Sequence, residues 1–203
     1  MLSVRSLILC PKTWKIFLLL EEHKIQYKIE HLNLNTFIKW PSIDKYHSDF
    51  SFILQHIETF AQSEKAKNMY GFWMNMLDFE LIPQIIMQIR FQRVIRPIVL
   101  RETPCLSTLK MVRTELKEHL KSISNYLSNN AWLDQDNFGL SDITLSSALA
   151  VLDYLGEINW KDSNMKELYN WYLKVKSRPS FNVLLEQKCQ GIAAHSNFYK
   201  KDF

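Results

Sequence analysis

The stretch "LILCPKTWKIFLLLEE", residues 7–22, decides how the chain folds, because a cysteine there separates a short apolar run from a helix. Residues 2–9, "LSVRSLIL", become fully apolar toward their end and predict a strand. Pro11 suits the first turn of a helix, where its missing N–H removes no hydrogen bond, and "KTWKIFLLLEEH" continues that helix. Residues 25–31, "IQYKIEH", alternate Ile25, Tyr27 and Ile29 with polar neighbours, as a half-buried strand does. The result is a β-α-β unit with Cys10 at the entry to its helix.

Cys10 has two readings. A thiol at a helix N-terminus feels the partial positive charge of the unpaired amides, which lowers its pKa from about 8.5 and favours the reactive thiolate. Equally, cysteine is a small apolar residue able to close the top of a strand.

Working outward, the segment 32–50, "LNLNTFIKWPSIDKYHSDF", supports at most one or two short strands around Pro41. "DFSFILQHIETF" resumes helical spacing through Phe52, Ile53, Ile57 and Phe60, and "AQSEKAKN" reads as a linker, which places a domain boundary near residue 63. One long helix is expected over about 65–95, with Pro83 as its breaking point. A second is expected over about 105–128, where Leu109, Val112, Leu116, Leu120 and Ile123 form an apolar stripe. "LSDITLSSALAVLDYL", "NMKELYNWYLKVKS" and "SFNVLLEQK" supply further helices, with Gly156 as a C-cap glycine and Pro179 as a stop.

Composition excludes several classes. With 203 residues, 47% of them apolar, the chain can bury a core, and four glycines without a GxGxxG or P-loop motif argue against a nucleotide-binding α/β fold. The longest purely apolar run, Ile16 to Leu20, falls far short of the roughly 20 residues that span a bilayer, so a cytoplasmic protein is expected. Three widely spaced cysteines suit reduced thiols. Six histidines without CxxC, HxxxH or HExxH spacing predict no metal site. A net charge of +4, spread along the chain, predicts no nucleic-acid partner.

A small β-α-β-β-α unit followed by helices resembles the glutathione S-transferase fold: a thioredoxin-like α/β domain over 1–62, shortened between 32 and 50, and an all-α domain with a C-terminal tail over 63–203. Three stretches carry the resemblance. "LCPKTWKIFLLLEEHKIQYKI" is similar to the family's first strand, active-site turn, first helix and second strand; "LSDITLSSALAVLDYL" to its buried helix; and "WYLKVKSRPSF" to its final-helix region. The resemblance implies that Cys10 or Thr13 would act on a thiol, that Pro41 stands for the proline that presents backbone to glutathione, and that Asp49 stands for the acidic residue gripping its γ-glutamyl end. Phe50 falls where that grip needs serine, and a phenyl ring neither donates nor accepts the required hydrogen bonds. Asp142 matches the family's buried capping-box aspartate and is read as structural, with Gly139 in place of the usual Ser or Thr N-cap.

Residues 152–203, from "LDYLG" through "KSRPSF" to a terminal Asp-Phe, are similar to a bacterial branch of this family that acts in cell division. That resemblance implies a dimeric, non-catalytic adaptor at the division site. Such an adaptor binds FtsZ filaments and couples them through its tail to the cell-wall synthesis machinery, without a cofactor. The alternative is an active glutathione S-transferase or thiol transferase that uses glutathione. Trp40, in a polar-flanked segment, is a candidate partner anchor, as are Asp202 and Phe203 at the tail. Trp160 and Trp171 read as core. The segment 196–203 is expected to add few core contacts and to be dispensable for stability.

Overall fold

A computed structural model of the chain describes residues 2–31, 72–73, 75–135 and 137–201. Trp40, Pro41, Asp49 and Phe50, the expected boundary near residue 63, and Asp202 and Phe203 lie outside the described residues. Strands β1 (Leu2–Ser6) and β2 (Tyr27–His31) pair in parallel with Val4 opposite Ile29, and α1 (Pro11–Glu22) forms the crossover between them.

β1 is shorter than the expected 2–9. The chain turns after Ser6, and Leu9 adopts a left-handed φ of 46°, which sets the entry to α1. The second strand also starts later than residue 25. α1 ends in a Schellman motif: Lys24 is left-handed at φ 54°, its N–H donates to Glu21 O at 3.1 Å, and Ile25 N–H donates to Leu20 O at 2.9 Å. Ile25 is thereby spent on the cap and is 41% exposed instead of half-buried.

The long helix α2 runs continuously through Asn75–Ile86, Met87–Arg90 and Phe91–Leu100, so it neither stops near 95 nor breaks at Pro83. Its first and last segments are wound in the wider π form, and each contains a proline, Pro83 and Pro97. Wider winding shifts the hydrogen-bond register around a residue that has no N–H to give. A left-handed Arg101 ends the helix.

α3 (Leu106–Leu127) buries the expected stripe, and α4 (Leu140–Tyr154) is buried along nearly its whole length at the centre of the molecule, against α1 and α2. A residue on every side of α4 needs an apolar neighbour, which is why its sequence carries small and apolar residues all round. Gly156, at φ 68°, caps α4 in a second Schellman motif, with Glu157 N–H on Leu152 O at 2.9 Å. A 3₁₀ turn (Ser163–Met165) leads into α5 (Lys166–Lys176), and another (Pro179–Phe181) into α6 (Asn182–Leu185). Among the described residues no helix is long and apolar enough to cross a membrane.

Asp142 organises the start of α4. It accepts Leu133 N–H at 2.8 Å, Gly139 N–H at 3.1 Å and Trp171 Nε1–H at 3.0 Å, tying the preceding turn and α5 to one carboxylate. The cap that a Ser or Thr at 139 would have supplied comes from Asp134, whose Oδ2 accepts Ser141 N–H at 3.1 Å. A Cβ on residue 139 would lie 2.1 Å from that oxygen, so glycine and the substitute cap go together.

Trp171 is buried, whereas Trp160 is half-buried, stacked on Tyr172 with ring centroids 5.2 Å apart and bonded through Nε1 to Asp153 at 2.9 Å. The expectation for the tail is overturned. Phe198 is fully buried between Trp14 and Tyr154, Lys176 Nζ donates to Asn197 O at 3.0 Å, and His195 N–H donates to Tyr154 O at 2.9 Å. Irregular backbone hides such anchoring from periodicity, since one well-placed aromatic needs no repeat.

Candidate functional site

The turn between β1 and α1 brings together Cys10 and Thr13 with a buried arginine and a second cysteine. Cys10 is the N-cap of α1 in extended conformation, its carbonyl accepts Trp14 N–H at 3.0 Å, and its side chain is only 4% exposed. Thr13 is 6% exposed. The two residues expected to act on a thiol therefore face protein instead of open solvent. A non-glycine residue at positive φ is costly unless its surroundings hold it, and Leu9 is held by complete burial.

Arg90 reaches this turn from α2. Its Nε donates to Ile8 O at 2.8 Å, it is 3% exposed, and its guanidinium lies within electrostatic range of both Cys10 and Cys189. Cys189, beyond α6, has its N–H on the Tyr154 hydroxyl at 3.1 Å and lines the same cleft as Leu9. Burial pushes the Cys189 thiol up and takes the Tyr154 phenol to about 12. A cleft of ≈ 370 Å³ opens beside the turn, with Leu9, Trp14, His31 and Cys189 on its walls.

Beneath the turn, Lys15 is 1% exposed and pairs with Asp78 of α2 at 3.0 Å, with burial pulling its pKa down. The pair ties α1 to the helical half. At the far end of α1, Arg178 forms a two-pronged bond with Glu22 at 2.7 and 2.8 Å, joined by Ser180. The "KSRPSF" string thus fastens the helical half to α1.

Sequence reasoning singled out Cys10 and Thr13 but missed Arg90, Lys15 and Cys189. A signal existed for the first two. Arg90 follows Ile82, Ile85, Ile86 and Ile89 on the apolar face of α2, and Lys15 stands between Trp14 and Ile16, so each is a charge inside a buried pattern. Nothing local marks Cys189.

Comparison with known proteins agrees with this architecture. Residues 86–179 match the family model for the glutathione S-transferase C-terminal domain. Over 100 residues the chain is 34% identical to FtsZ-localized protein A of Caulobacter vibrioides (strain NA1000 / CB15N), a stretch amounting to 49% of this chain and 43% of that protein. Among solved structures, FzlA from C. crescentus superposes with a TM-score of 0.87 at 20% identity over 99% of both chains. A glutathione S-transferase from Rhodospirillum rubrum F11 superposes with a TM-score of 0.86 at 19% identity over 100% of both. The chain has the glutathione S-transferase fold, and residues 86–179 of its helical half match the model of that family's C-terminal domain.

Proposed function

We propose that the protein is a non-catalytic adaptor of glutathione S-transferase fold that binds FtsZ filaments at the bacterial division site. The observation that carries this reading is the 34% identity to FtsZ-localized protein A over a 100-residue stretch. Burial of Cys10 and Thr13 supports the absence of catalysis, because a nucleophile must meet its substrate. Phe50 in place of the glutathione-gripping serine supports it too.

The protein acts as a homodimer in this reading. Phe72 and Phe79, seven residues apart, are 62% and 59% exposed, and large exposed apolar rings favour a partner surface. Its tail carries Asp202 and Phe203 as the element for the cell-wall synthesis machinery, and Trp40 is the anchor for the filament.

A fluorescent fusion should concentrate in a band at mid-cell that disappears when FtsZ is depleted. Diffuse fluorescence with intact FtsZ rings would contradict the proposal.

The transferase reading rests on one observation, Cys10 standing at the start of α1. It requires glutathione binding. Glutathione at millimolar concentration should leave the melting temperature unchanged if the adaptor reading holds, since any ligand that prefers the native state raises it.

A further inference from the structure

We propose that the cleft between the ends of the two strands and the segment after α6 is a binding site for a small organic carboxylate with an apolar body. Two stretches far apart in sequence build most of it, Ser6–Leu9 on one side and Gln187–Gln190 on the other. Its volume of ≈ 370 Å³ suits a small organic molecule. Neither Cys10 nor Thr13, the residues that the family resemblance assigns to glutathione's thiol, is on its walls. The second stretch also lies beyond residues 86–179, which match the family model.

Charge decides the kind of ligand. On the strand side Ser6 and His31 stand opposite each other in the β1–β2 register, so a hydroxyl and an imidazole are neighbours on one face of the sheet, and both residues line the cleft. On the other side Lys188 is exposed and Gln190 adds an amide. Arg90, 3% exposed, donates from Nε to Ile8 O at 2.8 Å, which sets a second positive charge directly behind a lining residue. Among the described residues no carboxylate lines the cleft. A recess with cations on and behind its walls, and no acid on them, draws in anions. Half-buried Leu7 and Ile8 supply apolar surface beside these donors, which favours a carboxylate on an apolar body over a bare inorganic ion.

The walls are held in place before any ligand arrives. Gln187 Nε2–H donates to Val183 O at 2.9 Å, and Cys189 N–H donates to the Tyr154 hydroxyl at 3.1 Å, which ties the C-terminal wall to α6 and to α4. Strand pairing fixes Ser6 and His31. A wall already ordered spares the ligand the cost of ordering it.

The test is amide NMR of the isotope-labelled full chain titrated with phenylacetate, phenylacetamide and phenethylamine, which share a ring and differ in head-group charge. Phenylacetate should shift the amides of residues 6–9 and 187–190 saturably at millimolar concentration. The neutral amide and the amine should bind at least about tenfold more weakly. Lys188→Glu should weaken phenylacetate binding by about tenfold with Tm unchanged, because Lys188 is exposed, and saturating glutathione should leave the wild-type titration as it was. Equal binding of the three probes, no saturable shift at these amides, or displacement of phenylacetate by glutathione overturns the proposal. The wild-type series decides the matter alone, so a folding defect in the variant leaves the result readable.

Discussion

The ring of Phe198, near the C-terminus, lies 6.2 Å from that of Trp14 in α1, and both meet Tyr154 of α4. The last described stretch of chain thus belongs to the core that joins the two halves of the molecule. Phe198→Ala should destabilise the protein by about 3–5 kcal/mol, the usual cost of removing a fully buried phenyl ring. Deletion of 196–203 should lower Tm by roughly 10 °C. Calorimetry or thermal denaturation checks both, and an unchanged Tm would mean that the ring is not seated there.

Asp142 carries a pH signature. Burial raises its carboxyl from 3.8 to about 6, against the pull of the amide donors and the Trp171 indole. The native state therefore holds a proton that the unfolded chain has released, and stability should fall as pH rises from about 4 to about 6, by roughly 2–3 kcal/mol. Denaturant titrations of wild type and Asp142→Asn across that range should differ in slope, with the variant flatter. Parallel curves would contradict the assignment.

Gly139 and Asp134 should be energetically coupled. Gly139→Ser restores the side chain common at helix starts, yet its Cβ would meet the Asp134 carboxylate that already caps Ser141. The single variant should lose about 1–2 kcal/mol, and adding Asp134→Ala should recover part of that loss. Additive losses in a double-mutant cycle would refute the exchange of caps.

Cys105 should be the thiol that reacts first with an alkylating agent. Hydrogen bonds from Ser107, then Thr108, bring its pKa from 9.0 down to about 7, which raises its share of reactive thiolate at neutral pH. Buried Cys10 should label slowly until the protein unfolds. Thr108→Val with Ser107→Ala should move the alkylation midpoint upward. A wild-type midpoint above about 8.5 would contradict the role of the hydroxyls.

The β-α-β unit and the α3 stripe were legible because each repeats its apolar positions at the period of its element, and the buried α4 because its residues are small or apolar on every side. Gly156 was legible because a left-handed C′ position favours glycine. Pro83 misled because its missing N–H forbids an ordinary helical turn but not a wider one. Ile25 misled because a cap consumed it before the strand began. At the candidate site, Cys10 announced itself by its position before Pro11. Arg90 and Cys189 join it only through tertiary packing, and a residue in irregular backbone, such as Phe198, leaves no periodic trace.

The central claim is that this glutathione S-transferase fold serves filament binding. Co-sedimentation with FtsZ polymers, at micromolar protein and low salt where a mildly basic surface meets an acidic filament best, tests it most directly. The account predicts that wild type pellets with the polymer and not without it. Trp40→Ala should stay largely in the supernatant, weakened by roughly 2 kcal/mol or more. Wild-type protein remaining in the supernatant with polymerised FtsZ would contradict the account, and saturable glutathione binding by the same preparation would then favour the transferase reading.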